Sequence, residues 1–206
     1  MTDFANAEIA WGAGSGAKTI TLLQLLKDQL GETGSGRDSE LSMYLDMAGN
    51  SAEQYVDNVL VQREVVEQKP ISGSPVALRY WPYVSGLAIE IDGETVTSDF
   101  ELFKSEGVNW AVKDRCAASR SNCFDQMTLT YTAGYDPLPS TIGFAIVQGA
   151  MGFEAGADQG GPVSRETVVG VGTVEYTSQA DGATAGMGMF PGSAVALLDQ
   201  YRRYGV

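Results

Sequence analysis

The stretch Gln126–Gly156, QMTLTYTAGYDPLPSTIGFAIVQGAMGFEAG, changes its hydrophobic period midway, and that change decides the fold. Met127, Leu129 and Tyr131 alternate with Thr128, Thr130 and Thr132, the spacing of a half-buried strand rich in β-branched and aromatic residues. Ala133-Gly134-Tyr135 ends that strand, and Asp136, Pro137 and Pro139 prevent it from continuing. After Ser140 the apolar residues fall at Ile142, Ala145, Ile146, Gly149, Ala150 and Phe153, a helical stripe. Phe144, Val147 and Met151 occupy the other face, so the helix is expected to be buried nearly all round. Ala145, Gly149 and Gly152 line one side. A glycine costs a helix roughly 1 kcal/mol against alanine, and close approach by a neighbouring element is expected to offset that cost.

Composition narrows the function. The chain has 206 residues, 44% of them hydrophobic, enough for a core in one large domain or two small ones. Acidic residues outnumber basic ones 26 to 13, giving a net charge of −13. The excess is present in residues 1–60, 61–135 and 136–206 alike, which argues against a phosphate-gripping surface. The N-terminus MTDFANAEIAW lacks the cationic region of a signal peptide, and no apolar run reaches membrane length. A soluble protein made in the cytosol, with no membrane partner, is the expectation.

The chain has no histidine, which removes the commonest general base, the usual catalytic triads and most metal sites. No enzyme activity and no cofactor are therefore expected. Cys116 and Cys123 bracket AASRSN; reduced thiols, a late disulfide and half of a metal site all remain open.

Gly12-Ala-Gly-Ser-Gly-Ala17-Lys18-Thr19 imitates a phosphate-binding loop, with Ala17 where the last glycine belongs. A β-carbon there intrudes on the cradle of backbone N–H groups, and FANAEIAW before it has little strand character. Residues 1–20 read instead as a flexible arm. Thr21 and Gln24 form a capping-box pattern for a helix carrying Leu22, Leu25, Leu26 and Leu30, which stops at Gly31. A second, longer helix starts near Asp38 and buries Leu41, Tyr44, Leu45, Ala48, Ala52, Tyr55, Val56 and Val59. Asp46, Glu53 and Asp57 mark its wet face.

From about Val61 the period becomes two. VQREVVEQ, VALRYWPYV, LAIEI, ETVTSDFELF and NWAV are expected strands, and Asp92-Gly93 predicts a type I′ hairpin. Tyr80, Trp81 and Trp110 read as sheet core rather than as a ligand platform. Beyond residue 156 the chain is Gly-rich, then ends in a short amphipathic helix with Ser193 as its expected N-cap. A short helix on a loose tether is marginal alone and suits docking. Leu197, Leu198, Tyr201, Arg202 and Arg203 are the residues expected to dock.

The order of these motifs resembles the head–tail connector (adaptor, or head-completion) proteins of tailed bacteriophages. The likeness rests on Leu22–Leu30, Leu41–Val56, Thr130–Tyr135 and Pro139–Phe153, with the end FPGSAVALLDQYRRYGV similar to the family's tail. The resemblance implies an α+β fold: a small helical bundle core, an inserted antiparallel β domain and an extended Gly-rich C-terminal arm. The expected divisions are 1–20 (arm), 21–62 and 136–155 (helical core), 63–135 (β domain) and 156–206 (arm with docking helix). It further implies a structural virion protein in the neck, a dodecameric ring below the portal protein. That ring would extend the DNA channel without sequence-specific binding and dock the next neck or tail protein. Another neck or tail-completion protein, or a β-sandwich ligand-binding module, is the alternative.

Overall fold

A computed structural model describes residues 3–11, 18–70, 75–97, 100–104, 110–114, 126–158, 165–168, 172–175 and 190–202. The fold is α+β, with helices and antiparallel sheets. It divides into two units: residues 1–57 with 136–206, and residues 58–135. The second is thus an insertion in the first. It begins at Asn58, earlier than the expected residue 63.

The first unit opens with a hairpin of β1 (Glu8–Trp11) and β2 (Lys18–Thr21), in the register Glu8↔Thr21 and Ile9↔Ile20. The expectation of a flexible arm fails for the described part of this segment. Phe4 and Ile9 are fully buried, Asp46 accepts a hydrogen bond from the Phe4 N–H at 3.0 Å, and Leu138 N–H donates to Glu8 at 2.8 Å. Burial of these side chains, together with the strand pairing and the hydrogen bonds to Asp46 and Leu138, offsets the entropy lost in ordering the segment. Residues 12–17 of the imitation phosphate loop lie outside the described residues. Lys18 and Thr19, which would open a helix in a true loop of that kind, begin strand β2.

Helix α1 (Leu22–Leu30) is capped by Thr21, whose Oγ1 accepts from Gln24 N–H at 3.2 Å, and ends at left-handed Gly31 (φ 72°). Only half of the capping box forms, because the Gln24 amide donates to Asp28 at 2.8 Å instead of reaching back. Helix α2 (Asp38–Val56) has Asp38 and Glu40 at the positive end of its dipole. It buries Leu41, Tyr44, Leu45, Ala48, Ala52 and Val56, and stops at Asp57 in the left-handed conformation. Val59 is therefore not on this helix; it belongs to the core of the inserted unit.

The inserted unit contains β3 (Arg63–Pro70), β4 (Val76–Ala77), β5 (Tyr83–Ile91), β6 (Glu94–Thr95), β7 (Phe100–Lys104), β8 (Trp110–Asp114) and β9 (Gln126–Ala133). Among the described residues one sheet has the order β3-β9-β5-β6 and another β4-β8-β7. Strand β9 is central, with Met127, Leu129, Tyr131 and Ala133 buried at the expected spacing of two. Asp92 and Gly93 both have positive φ between Ile91 and Glu94, as a type I′ turn requires. Tyr80 packs against the core and Trp81 stands edge-on to Tyr135, centroids 6.3 Å apart; the side chain of Trp110, and Cys116 and Cys123, lie outside the described residues. Gly134 (φ 108°) ends β9 where the chain runs against Val61: a β-carbon there would lie 2.7 Å from the Val61 carbonyl.

The chain returns to the helical unit through α3 (Ser140–Asp158), a pair of strands β10 (Arg165–Val168) and β11 (Gly172–Glu175), and α4 (Gly192–Asp199). Ile142, Ala145, Ile146, Val147 and Ala150 of α3 are fully buried. Phe144 is exposed, so α3 is apolar all round but not covered all round. The expected N-cap of α4 moves: Pro191 takes that place, and its carbonyl accepts from Ala194 and Val195, leaving Ser193 exposed in the first turn.

Candidate functional site

The residues expected to dock elsewhere are mostly engaged within their own unit. Ala194, Val195 and Leu198 of α4 are buried, Leu198 completely, where the helix packs on α3 and α2. Phe190 lies over Gly149, and a β-carbon at that glycine would clash with the edge of the Phe190 ring. The close approach anticipated for this face is therefore made by the C-terminal segment itself. Ala145 is fully buried on the same helix, while Gly152 is half-buried. Gly143, not singled out from the sequence, has an equally close neighbour in Ile9.

Polar contacts continue the attachment beyond α4. The Tyr55 hydroxyl donates to Asp199 Oδ1 at 2.5 Å, and the Arg202 guanidinium sits 4.9 Å from the centre of the Tyr55 ring. The hydroxyls of Thr141 and Tyr201 are 2.8 Å apart. Hydrogen bonding to Asp199, then burial, raises the Tyr55 pKa above its ordinary value. Leu197 is half-buried and Arg202 is exposed on the outer side; Arg203 lies outside the described residues. The helix is therefore part of the helical unit rather than a free element on a tether. Sequence periodicity identified its apolar side but not what covers it.

Two polar clusters escaped the sequence reading. Arg37, between α1 and α2, contacts Glu32 at 3.2 Å, Glu40 at 3.0 Å and Glu154 of α3 at 3.0 Å. These hydrogen bonds raise the Arg37 pKa, Glu40 contributing most, and that from Arg37 lowers the pKa of Glu40. In the inserted unit Glu67 is 6% exposed, on the core side of β3. It accepts from the Tyr131 hydroxyl and, at 2.8 Å, from Arg79 N–H; Lys69 Nζ is 3.3 Å from its other oxygen. Burial and the Glu67 hydrogen bond raise the Tyr131 pKa. The alternation of VQREVVEQ carried the signal, since Val65 and Glu67 must share a face.

Among the described residues no three His, Cys, Asp or Glu side chains could hold a metal ion, and no helix is long and apolar enough to cross a membrane.

These observations define an α+β chain in which an antiparallel β unit is inserted into a helical unit closed by its own C-terminal helix. Solved structures share this fold. A chain in the neck of the empty GTA particle, computed with C6 symmetry, matches with a TM-score of 0.58 and 17% identity, over 89% of this chain and 90% of that one. A chain in the virion of the native gene transfer agent particle matches with a TM-score of 0.59, 17% identity and the same coverage. One in the neck of the native GTA particle, computed with C12 symmetry, matches with a TM-score of 0.57 and 16% identity, over 97% of this chain and 96% of that one. No protein-family model and no curated protein sequence matches the chain.

Proposed function

We propose that this chain is a structural protein of a phage-like neck: a head–tail connector that forms a ring below the portal, extends the DNA channel and docks the next neck or tail component. The observation that carries the reading is the fold it shares, over 89% and 97% of its length, with chains from necks computed with C6 and C12 symmetry. The motif order that resembles the connector family supports the same reading independently. A ring of twelve subunits is the form proposed.

The charge suits a conduit. A channel wall must let a polyanion slide, and acidic side chains repel phosphate rather than hold it. A chain of net charge −13 meets that requirement without any sequence-specific contact. Contact with the portal is assigned to the C-terminal segment, where Leu197 is half-buried and Arg202 exposed while Leu198 and Tyr201 hold the segment in place.

The test is negative-stain imaging of the full chain mixed with purified portal rings. A further ring stacked coaxially on the portal is the expected result. Portal rings that remain bare at saturating concentrations of the chain would overturn the reading.

A further inference from the structure

Each of α2 and α3 carries, on the side opposite its buried residues, a stripe of uncharged side chains. Opposite the buried side of α2 lie Met43, Met47, Asn50 and Gln54. Met43 is 50% exposed and Met47 42%. Opposite the buried side of α3 lie Phe144, Gln148, Met151 and Ala155, with Phe144 38% exposed. Both sets follow the spacing i, i+4, i+7, i+11, so each forms a straight stripe about 16 Å long. Of the α2 carboxylates flanking the stripe, Glu40 binds Arg37 and Asp46 binds the Phe4 N–H, both within their own unit, and Glu53 is half-buried at the stripe's side. On α3 the Gln148 amide is folded back onto Met151 Sδ at 3.8 Å rather than extended.

Building on the ring reading above, we propose that the α2 stripe of one copy packs against the α3 stripe of the next copy. A second copy is the occupant for an electrostatic reason. Two chains of net charge −13 repel wherever acidic surfaces meet, and like charges brought together across an interface are costly. Stripes free of charge on both sides are where copies can approach. Equal spacing and length let the ridges of one helix settle into the grooves of the other. Methionine and phenylalanine provide adaptable and bulky apolar contacts at such a seam.

Two different stripes also settle the kind of contact. A patch that pairs with itself closes a dimer and stops. An α2 stripe that pairs with an α3 stripe leaves one unused stripe at each end, so the contact repeats head to tail and closes into a ring when the rotation permits.

The experiment introduces opposite charges on the two stripes in the full chain, read as the concentration for half-assembly in sedimentation and by ring formation on portal. Met47→Glu and Phe144→Lys should each raise that concentration about tenfold or more. Both side chains are exposed, so the melting temperature of each variant should stay at the wild-type value; Met43→Gln with Met47→Gln provides a gentler pair showing the same direction. The chain carrying both Met47→Glu and Phe144→Lys should recover assembly, because every contact then sets a carboxylate of one copy against an ammonium of the next. Single variants that assemble like wild type would overturn the stripe pairing while leaving the ring reading intact. Weakened singles without recovery in the double would show that these two stripes do not meet each other, and would also overturn it. A wild-type chain that associates neither alone nor on portal would refute the ring itself, and this contact with it.

Discussion

Replacing Gly134 by alanine should unfold the inserted unit at much milder conditions. Gly134 holds φ 108°, a conformation that a residue with a side chain adopts only under strain. The new β-carbon would lie 2.7 Å from the carbonyl carbon and oxygen of Val61 and 2.8 Å from Gln62 Cα, all backbone atoms that no rotamer change can move aside. Relief requires the chain at 60–62 to part from 134–135, which breaks Tyr135 N–H to the Leu60 carbonyl (2.9 Å) and Gln62 N–H to the Tyr135 carbonyl (3.1 Å). Strain at such a φ costs about 1–3 kcal/mol, and two hydrogen bonds contribute about 1–3 kcal/mol together. The expected loss is therefore about 3 kcal/mol or more, a fall of roughly 6–12 °C in the midpoint for a chain of this size. Thermal and urea unfolding read by tryptophan fluorescence would measure it. A midpoint within about 1 °C of wild type would mean that Gly134 does not touch the Val61 backbone, and the account of how β9 ends would be wrong.

In the helical unit, Gly149→Leu must displace the Phe190 ring and should cost about 1–3 kcal/mol, while Leu198→Ala, at a fully buried position, should cost about 2–5 kcal/mol; unchanged melting of both would show α4 detached in solution. Deleting residues 190–206 should accordingly lower the stability of the helical unit, not merely abolish docking, and a truncated chain with wild-type melting would contradict the packing of α4. The inserted unit should lose stability in alkali: the Tyr131 pKa is raised on folding, so its contribution is complete below about pH 10 and declines as pH rises above that. Tyrosinate absorbance and unfolding measured together should show the decline in wild type and its absence in Tyr131→Phe. Calorimetry with ATP or GTP should register no binding, because the sequence has alanine at 17 where a phosphate-binding loop needs glycine and Lys18 stands in a strand; a micromolar site lost in Lys18→Ala would reverse that conclusion.

Much of the fold is legible along the chain. The alternation of Met127, Leu129 and Tyr131 marks a strand with one buried face, Asp92-Gly93 marks a hairpin, and Thr21 and Gly31 mark the ends of α1, because each depends on backbone geometry and on neighbours a few residues away. The spacing of Ala145 and Gly149 marks a face that something approaches closely. What approaches is Phe190, far along the chain, and periodicity holds no record of it. Apolar burial is non-directional, so a stripe specifies that it will be covered without specifying by what. For the same reason Phe4 and Ile9 looked like part of a loose arm until the tertiary structure supplied α2, α3 and α1 around them, and the C-terminal helix looked free until Tyr55 and Thr141 met Asp199 and Tyr201. Local rules determined the elements; the path of the chain decided which of them share a core, since only that path brings distant apolar surfaces within contact range.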